Sequence, residues 1–485
     1  MKKFFYTLLL ILLVIVSVVL FNTFRFKSDI PVRESLPITT ISDSIAKHLS
    51  EAIQIKTISF SETLPIDTTE FIKFKAFMEK TYPLVHQKLP RQIFSQFSYM
   101  YVWKGKDTTL KPIVLMAHMD VVPVEAEAEK KWTMPSFSGI IDHDTIWGRG
   151  AIDDKSSVIA IMEAAEQLLH DNFQPQQTIY FCFGHDEEVS GKQGAAKMAE
   201  WFKSNNIRPH LVIDEGGQVD TEHFKDVKRP VALLGVGEKG YVNVDLTVEI
   251  PGGHSSMPQS ETAIDVLNKG IVNVRAKQMP AIVTDPVQEL LNRVGSSGGF
   301  INRMALSNMW LFKKLLIGKF EKNNGTNAMV HTTIVPTIVK GGIKDNVVPS
   351  VAMATFNSRI LPGQTSDDVL NYIKKAVNDE RITVKKQAIF HTEPSTLTPF
   401  DHKGFHDVED AVYKTIPDVM TAPFLMLGAT DSRYFRPFSD AVINFTPYLN
   451  VKGFHGINER IPVSDLRNMV FFYQLVMKGP EGKGK

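Results

Sequence analysis

Thr178-Ile-Tyr-Phe-Cys-Phe-Gly-His-Asp-Glu-Glu188 is an apolar run that ends in three consecutive carboxylates. A short, unbroken apolar run of this kind reads as a strand buried on both faces. Carboxylates at the end of such a strand are costly unless something cationic sits beside them. A divalent metal is the simplest neutraliser, and the neighbouring segments carry matching ligands.

Working outward, 112–117 (Pro-Ile-Val-Leu-Met-Ala) is a second wholly apolar strand and 210–213 a third, while 156–169 and 193–203 have helical spacing. Strands alternating with helices predict an α/β unit whose mixed sheet carries helices on both faces. Upstream, 41–55 and 71–82 read as helices, 91–102 as one strand, and 104–108 as a hairpin turn. The pattern changes after Ala232: 242–250 alternates apolar and polar residues as a half-exposed strand does, and a helix follows at 263–274. A loosely patterned stretch then leads to strands at 329–339 and 351–360. This predicts an inserted α+β domain over 235–362, with Leu361-Pro-Gly363 as the hinge back. The outer domain is then 28–234 with 363–485, resuming with helices at 366–378 and 405–414, a strand at 441–445 and a helix at 463–477.

A length of 485 residues favours two domains over one core. The formal net charge of +1, with no basic tail or stripe, argues against nucleic acid as a partner. The lone cysteine, Cys182, excludes an internal disulfide and a multi-cysteine zinc site, and reads as a core residue. Residues 1–27 differ from the rest. Met1-Lys-Lys3 precedes a charge-free apolar stretch from Phe4 to Phe21, close to the ~20 residues that cross ~30 Å of hydrocarbon. No small-residue cleavage site follows it, so the reading is an uncleaved signal anchor with the catalytic body outside the cytoplasm. The alternative is a cleaved signal and a secreted protein.

Candidate ligands cluster after strands. His118-Met-Asp120 ends the strand at 112–117, and its spacing of two lets Asp120 orient the His118 ring. Asp153 opens a helix after Gly148-Arg-Gly150, Asp214 ends the strand at 210–213, and His455 lies far along the chain. Two histidines and three carboxylates, one of them shared, would fill two tetrahedral zinc sites. Glu187 is left beside them as a general base. Ten other histidines, His223 among them, have no ligand-like context.

The set Met116-Ala-His-Met-Asp-Val-Val-Pro123, Trp147-Gly-Arg-Gly-Ala-Ile-Asp-Asp-Lys155, Gly184-His-Asp-Glu-Glu-Val-Ser-Gly191, Asp214-Glu-Gly-Gly217 and His455-Gly-Ile-Asn-Glu459 resembles the di-zinc exopeptidase and aminoacylase family, in order along the chain. The resemblance implies that family's catalytic domain with an inserted lid and dimerisation domain, through which a homodimer could form, the oligomeric state being left open by the sequence. It implies two zinc ions, one held by His118, Asp153 and Asp214, the other by Asp153, Glu188 and His455, with a cis peptide at Asp153-Asp154. Glu187 would move the proton and Asp120 orient His118. His254, in Gly252-Gly-His-Ser-Ser256, would stabilise the oxyanion, while Asn346 and Arg359 would grip a substrate carboxylate. Thr430 and Asp431, in Gly428-Ala-Thr-Asp-Ser432, resemble a further substrate loop.

The implied reaction is hydrolysis of a peptide or N-acyl bond next to an amino acid with a free carboxylate. The carboxypeptidase S branch fits best, and it also includes enzymes that join or cleave N-fatty-acyl amino acids. Readings from other classes are a non-catalytic scaffold that keeps the fold and a zinc hydrolase of another reaction type.

Overall fold

A computed structural model of the chain describes residues 2–26, 34–38, 41–222, 224 and 227–479. Met1, most of the tether after the N-terminal helix, and His223 lie outside the described residues. Two compact units are present: Asp29–Val236 with Leu397–Phe424 and Thr430–Lys485, and Met1–Ser28 with Gly237–Thr396 and Leu425–Ala429.

The first unit is built on a mixed sheet. Its strand order is Arg91–Phe94, Ser98–Trp103, Ile179–Gly184, Ile113–His118, Leu211–Asp214, Ala441–Asn444, Val231–Glu238, Met420–Met426. The four central strands run parallel, with His118 opposite Gly184 and Asn444 opposite Asp214. Because side chains alternate along a strand, each face feeds its own layer. Leu115, Phe181 and Ile213 pack with the helices Lys155–His170 and Val463–Lys478. Val114, Cys182 and Val212 pack against the helix Ala195–Ser204 on the other side. Parallel strands in register end along one edge, which is where open α/β sheets gather their polar residues.

Two expectations change here. Residues 104–108 close no hairpin, because Ser98–Trp103 and Ile113–His118 lie on opposite sides of Ile179–Gly184. The run at 91–102 is a hairpin of two strands, because Ser95 and Gln96 take positive φ (44° and 73°) and Phe94 pairs with Ser98.

The second unit has a four-stranded antiparallel sheet in the order Thr333–Gly341, Val351–Ile360, Gly240–Glu249, Ile382–Thr392. The strand Gly240–Glu249 alternates buried and half-buried residues along its length. The helices Ala263–Arg275 and Ser366–Val377 cover the buried face, sharing a core with Leu246, Phe356 and Val384. The return to the first unit therefore comes at 396 and not 362: Ile382–Thr392 pairs with Gly240–Glu249, matching Leu246 to Val384. Its signal was weak because only Ile382 and Val384 alternate inward before a run of polar residues. The loosely patterned stretch is helical, as Asp285–Ser296, Phe300–Ser307, Met309–Phe320 and Asn324–Val330. The N-terminal helix Lys2–Arg25 is long and apolar enough to cross a membrane.

Candidate metal centre

The site forms where the parallel strands of the first unit end. His118, the last residue of its strand, is buried. Its Nδ1–H donates to the Asp120 carbonyl at 3.0 Å, which leaves Nε2 to face Asp153 Oδ1 at 2.8 Å and Glu215 Oε1 at 3.3 Å. The Asp120 carboxylate stands 3.4 Å from the same Nδ1 and takes a second task. It accepts the amides of Glu187 and Glu188 at 3.1 and 3.2 Å, so one residue sets both the ring and the carboxylate loop.

Asp153 lies between two imidazoles: Oδ1 faces His118, while Oδ2 is 2.5 Å from His455 Nε2. The same His455 nitrogen is 3.5 Å from Glu188 Oε2. The Asp153-Asp154 peptide is cis, as the resemblance implies. Burial raises the Asp153 carboxyl, but hydrogen bonds from His118 and His455 outweigh it and hold the group below the ordinary carboxylate range. The other acids go the opposite way. Burial, reinforced by mutual repulsion, pushes Asp154, Glu187, Glu188 and Glu215 up. Both Asp154 oxygens are buried, with no hydrogen-bond partner among the described residues. Such an excess of buried negative charge around two ring nitrogens fits divalent cations, and the nitrogen and oxygen donors suit zinc. His118 groups with Asp153 and Glu188, and with Asp154 and Glu215, within metal-holding distance.

Asp214, expected as a ligand, stands outside these groups. Its Oδ2 accepts from the Thr430 hydroxyl at 2.7 Å and from the Ser432 amide at 2.8 Å. Adjacent residues at a strand end point apart, so Glu215, one residue on, reaches His118 instead. Thr430 and Asp431 also differ from expectation. Both are buried. The Thr430 hydroxyl serves Asp214, and Asn444 Nδ2 ties Thr430, Ser432 and the Glu215 carbonyl together at 2.9–3.1 Å. The Asp431 carboxylate lies over Gly191, which has φ +63° and where a Cβ would stand 1.9 Å from Oδ1. The loop thus braces the Asp214 strand end from behind.

Glu187 sits in a short 3₁₀ turn after Asp186, whose oxygens accept the Gln193 and Gly194 amides at 2.7 and 2.8 Å. Burial, with repulsion from Asp431 and Glu188, holds the Glu187 carboxyl well above its usual range, while Arg433 stands 3.9 Å away. His185 takes no part in the cluster: its Nδ1 pairs with the Ser98 hydroxyl at 2.6 Å beside the rings of Phe71 and Phe97.

The sequence reading missed a clamp. Fully buried Glu459 pairs with Arg149 and accepts the amides of Gly150 at 3.0 Å and Ile152 at 2.8 Å. Arg149 also donates to the carbonyls of His455 at 3.3 Å and Gly456 at 3.1 Å. The clamp thus joins the loop that carries Asp153 to the loop that carries His455. Its signal was present as the charged residues inside two quoted motifs, Arg149 and Glu459.

His254, Asn346 and Arg359 belong to the second unit. Exposed His254 lies on a two-residue strand paired with Val347–Val348, and the Ser255 amide donates to the Asn346 carbonyl at 3.2 Å. The Arg359 guanidinium stacks over the Tyr241 ring at 4.9 Å and has no carboxylate partner among the described residues.

Residues 114–479 match the sequence profile of Peptidase family M20/M25/M40. The probable carboxypeptidase S-like 2 of Dictyostelium discoideum is 36% identical over 97% of this chain and 93% of its own. The Homo sapiens N-fatty-acyl-amino acid synthase/hydrolase PM20D1 is 36% identical over 88% and 86%, and Saccharomyces cerevisiae carboxypeptidase S is 28% identical over 90% and 84%. An M20 family metallo-carboxypeptidase from Sulfolobus solfataricus shares the fold, with TM-score 0.65 and 20% identity over 90% of this chain and 99% of that one.

Proposed function

The chain belongs to the peptidase family M20/M25/M40, and from that premise we propose that it is a two-zinc amide hydrolase releasing an amino acid from a peptide or N-acyl substrate. The observation that carries this reading is Asp153, set between His118 and His455 with Glu187 beside them. His118, Asp153 and Glu215 would hold one zinc; Asp153, Glu188 and His455 would hold the other. Bound there, zinc supplies Lewis acidity toward water and the scissile carbonyl.

Glu187 takes a proton from the attacking water and passes it to the leaving amine. A carboxyl whose affinity for a proton is raised by burial suits both transfers. Arg359 offers a planar fork to the substrate carboxylate, supported by its half-buried place on Tyr241 without an acidic partner among the described residues. His254 is assigned to the oxyanion and Asn346 to the carboxylate on the strength of the family resemblance. A homodimer through the edge strand Thr333–Gly341 is supported by its exposed Ile338 and Val339. The N-terminal helix anchors the chain, with the catalytic unit outside the cytoplasm.

A second reading, cleavage or joining of N-fatty-acyl amino acids, is supported by the similarity to the human synthase/hydrolase. The test is a panel of Gly-X dipeptides, N-acetyl amino acids and long-chain N-acyl amino acids, assayed for free amino acid with zinc and with chelator. Release that depends on metal supports the proposal, and the preferred acyl length decides between the readings. A zinc-loaded chain that releases no amino acid from any of them would refute it.

A further inference from the structure

Among the described residues, the helices Phe300–Ser307 and Met309–Phe320 of the second unit leave several large apolar side chains exposed. Ile301 is 74% exposed, Trp310 60% and Leu315 69%, with Phe300 and Leu311 close by. No residue from 300 to 320 is acidic, whereas Arg303, Lys313, Lys314 and Lys319 are basic. A face that combines Trp, Leu and Ile with lysines and no acid has the composition of a helix lying in a membrane interface.

The face is continuous with the N-terminal helix. Phe24 and Phe300 place their rings 6.0 Å apart. Asn22 Nδ2 donates to Asn308 Oδ1 at 2.9 Å, and Asn308 Nδ2 donates to the Val19 carbonyl at 3.2 Å. Arg303 donates to the Thr23 carbonyl at 3.1 Å. These contacts bury Thr23 and Asn308, so the polar groups of the junction satisfy one another and need no water. The rest of Lys2–Arg25 presents apolar side chains outward.

We propose that residues 300–320 form a second membrane contact, an interfacial helix pair that docks on the same leaflet that the N-terminal helix leaves, beside its point of exit. The proposal rests on that helix being a retained anchor. Continuity with a helix able to cross a bilayer, together with the one-signed charge, favours a lipid surface over a second copy of the chain.

The test uses the full chain reconstituted in vesicles of phosphatidylcholine and phosphatidylglycerol, with brominated lipid as quencher. Trp310 is isolated by subtracting the emission of the Trp310→Phe variant. Quenching of Trp310 by brominated lipid is the expected result. In the Ile301→Asp/Leu315→Asp double variant that quenching should weaken ~10-fold, about 1.4 kcal/mol, since carboxylates are expelled from the apolar layer. Quenching of Trp310 by aqueous iodide alone would overturn the proposal. Shielding from both quenchers would also overturn it and identify a second copy as the cover. A chain that fails to sediment with vesicles overturns it as well, while leaving metal-dependent hydrolysis in solution intact as a separate result.

Discussion

Glu459→Gln should damage zinc binding although Glu459 faces neither proposed metal position. Among the described residues the wild-type carboxylate meets only donors: Arg149 on one oxygen, the Gly150, Ile152 and Asp153 amides on the other. A glutamine must aim its NH₂ at one of these sets, so whichever way it lies a donor meets a donor. Charged hydrogen bonds contribute ~1.5–3 kcal/mol each, and breaking a buried pair from one side costs ~3–5 kcal/mol. Because Arg149 also holds the His455 and Gly456 carbonyls, the loss passes to a proposed ligand. Loss of such an outer partner typically lowers metal affinity ~10–100-fold. Competition titration with a zinc chelator measures the affinity, and urea unfolding in chelator measures the stability. The Arg149→Leu/Glu459→Met variant, which removes both charges, should recover part of the stability but not the affinity, since the three loop amides still lack an acceptor. Wild-type affinity and wild-type urea midpoint in Glu459→Gln would refute the clamp.

Four further outcomes are expected. Glu187→Gln should keep its metal content by elemental analysis and lose ~10²–10⁴-fold in kcat, the range for a general base. Glu215→Gln should lower zinc occupancy, whereas Asp214→Asn should keep it and instead loosen the 430–432 brace, seen as faster proteolysis there; the reverse pattern would restore Asp214 as the ligand. Arg359→Met should raise KM ~10–100-fold for substrates with a free carboxylate and hardly at all for their amides, matching the loss of ~1.5–3 kcal/mol of charged hydrogen bonding. Lys239 donates to the Ala328 and His331 carbonyls at 2.9 and 2.8 Å, and burial plus repulsion from Arg359 pushes it down to about 7. A lowered folded value means that the unfolded chain holds the extra proton between about 7 and the ordinary 10.5. Stability from this group therefore grows as pH rises through that window and is lost as pH falls through 7. Urea midpoints should show that rise in the wild type and a flatter profile in Lys239→Met.

Local pattern carried much of the fold. The unbroken apolar runs at 113–118 and 179–184 had to be strands buried on both sides, and they are. The alternation at 240–249 had to be a half-covered strand, and its burial follows residue by residue. Elements without a one-sided pattern escaped. The strand Ile382–Thr392 is largely polar after Val384, and its pairing with Gly240–Glu249 is set by a partner more than 130 residues away. The helices between 285 and 330 have mixed faces because part of their apolar surface meets the N-terminal helix, not the sheet core.

The site was legible as residue types and less so as roles, and one strand end shows why. Asp214 and Glu215 are adjacent acids, and composition treats them alike. Which of them reaches His118 depends on the pleat and on what else claims each carboxylate. Thr430, Ser432 and Asn444 converge on the Asp214 side of that strand end from more than 200 residues later in the chain. Parallel register places Asn444 opposite Asp214. Once Thr430 and Ser432 have engaged Asp214, Glu215 remains to face the imidazole. The same logic explains the pairing of Arg149 with Glu459: each lies in a recognisable motif, but neither motif says that the other completes it. Which acid faces His118 thus depends on the hydrogen-bond competition behind it, and substitution of Glu459, whose partner Arg149 holds the His455 loop, should alter metal binding without touching a proposed ligand.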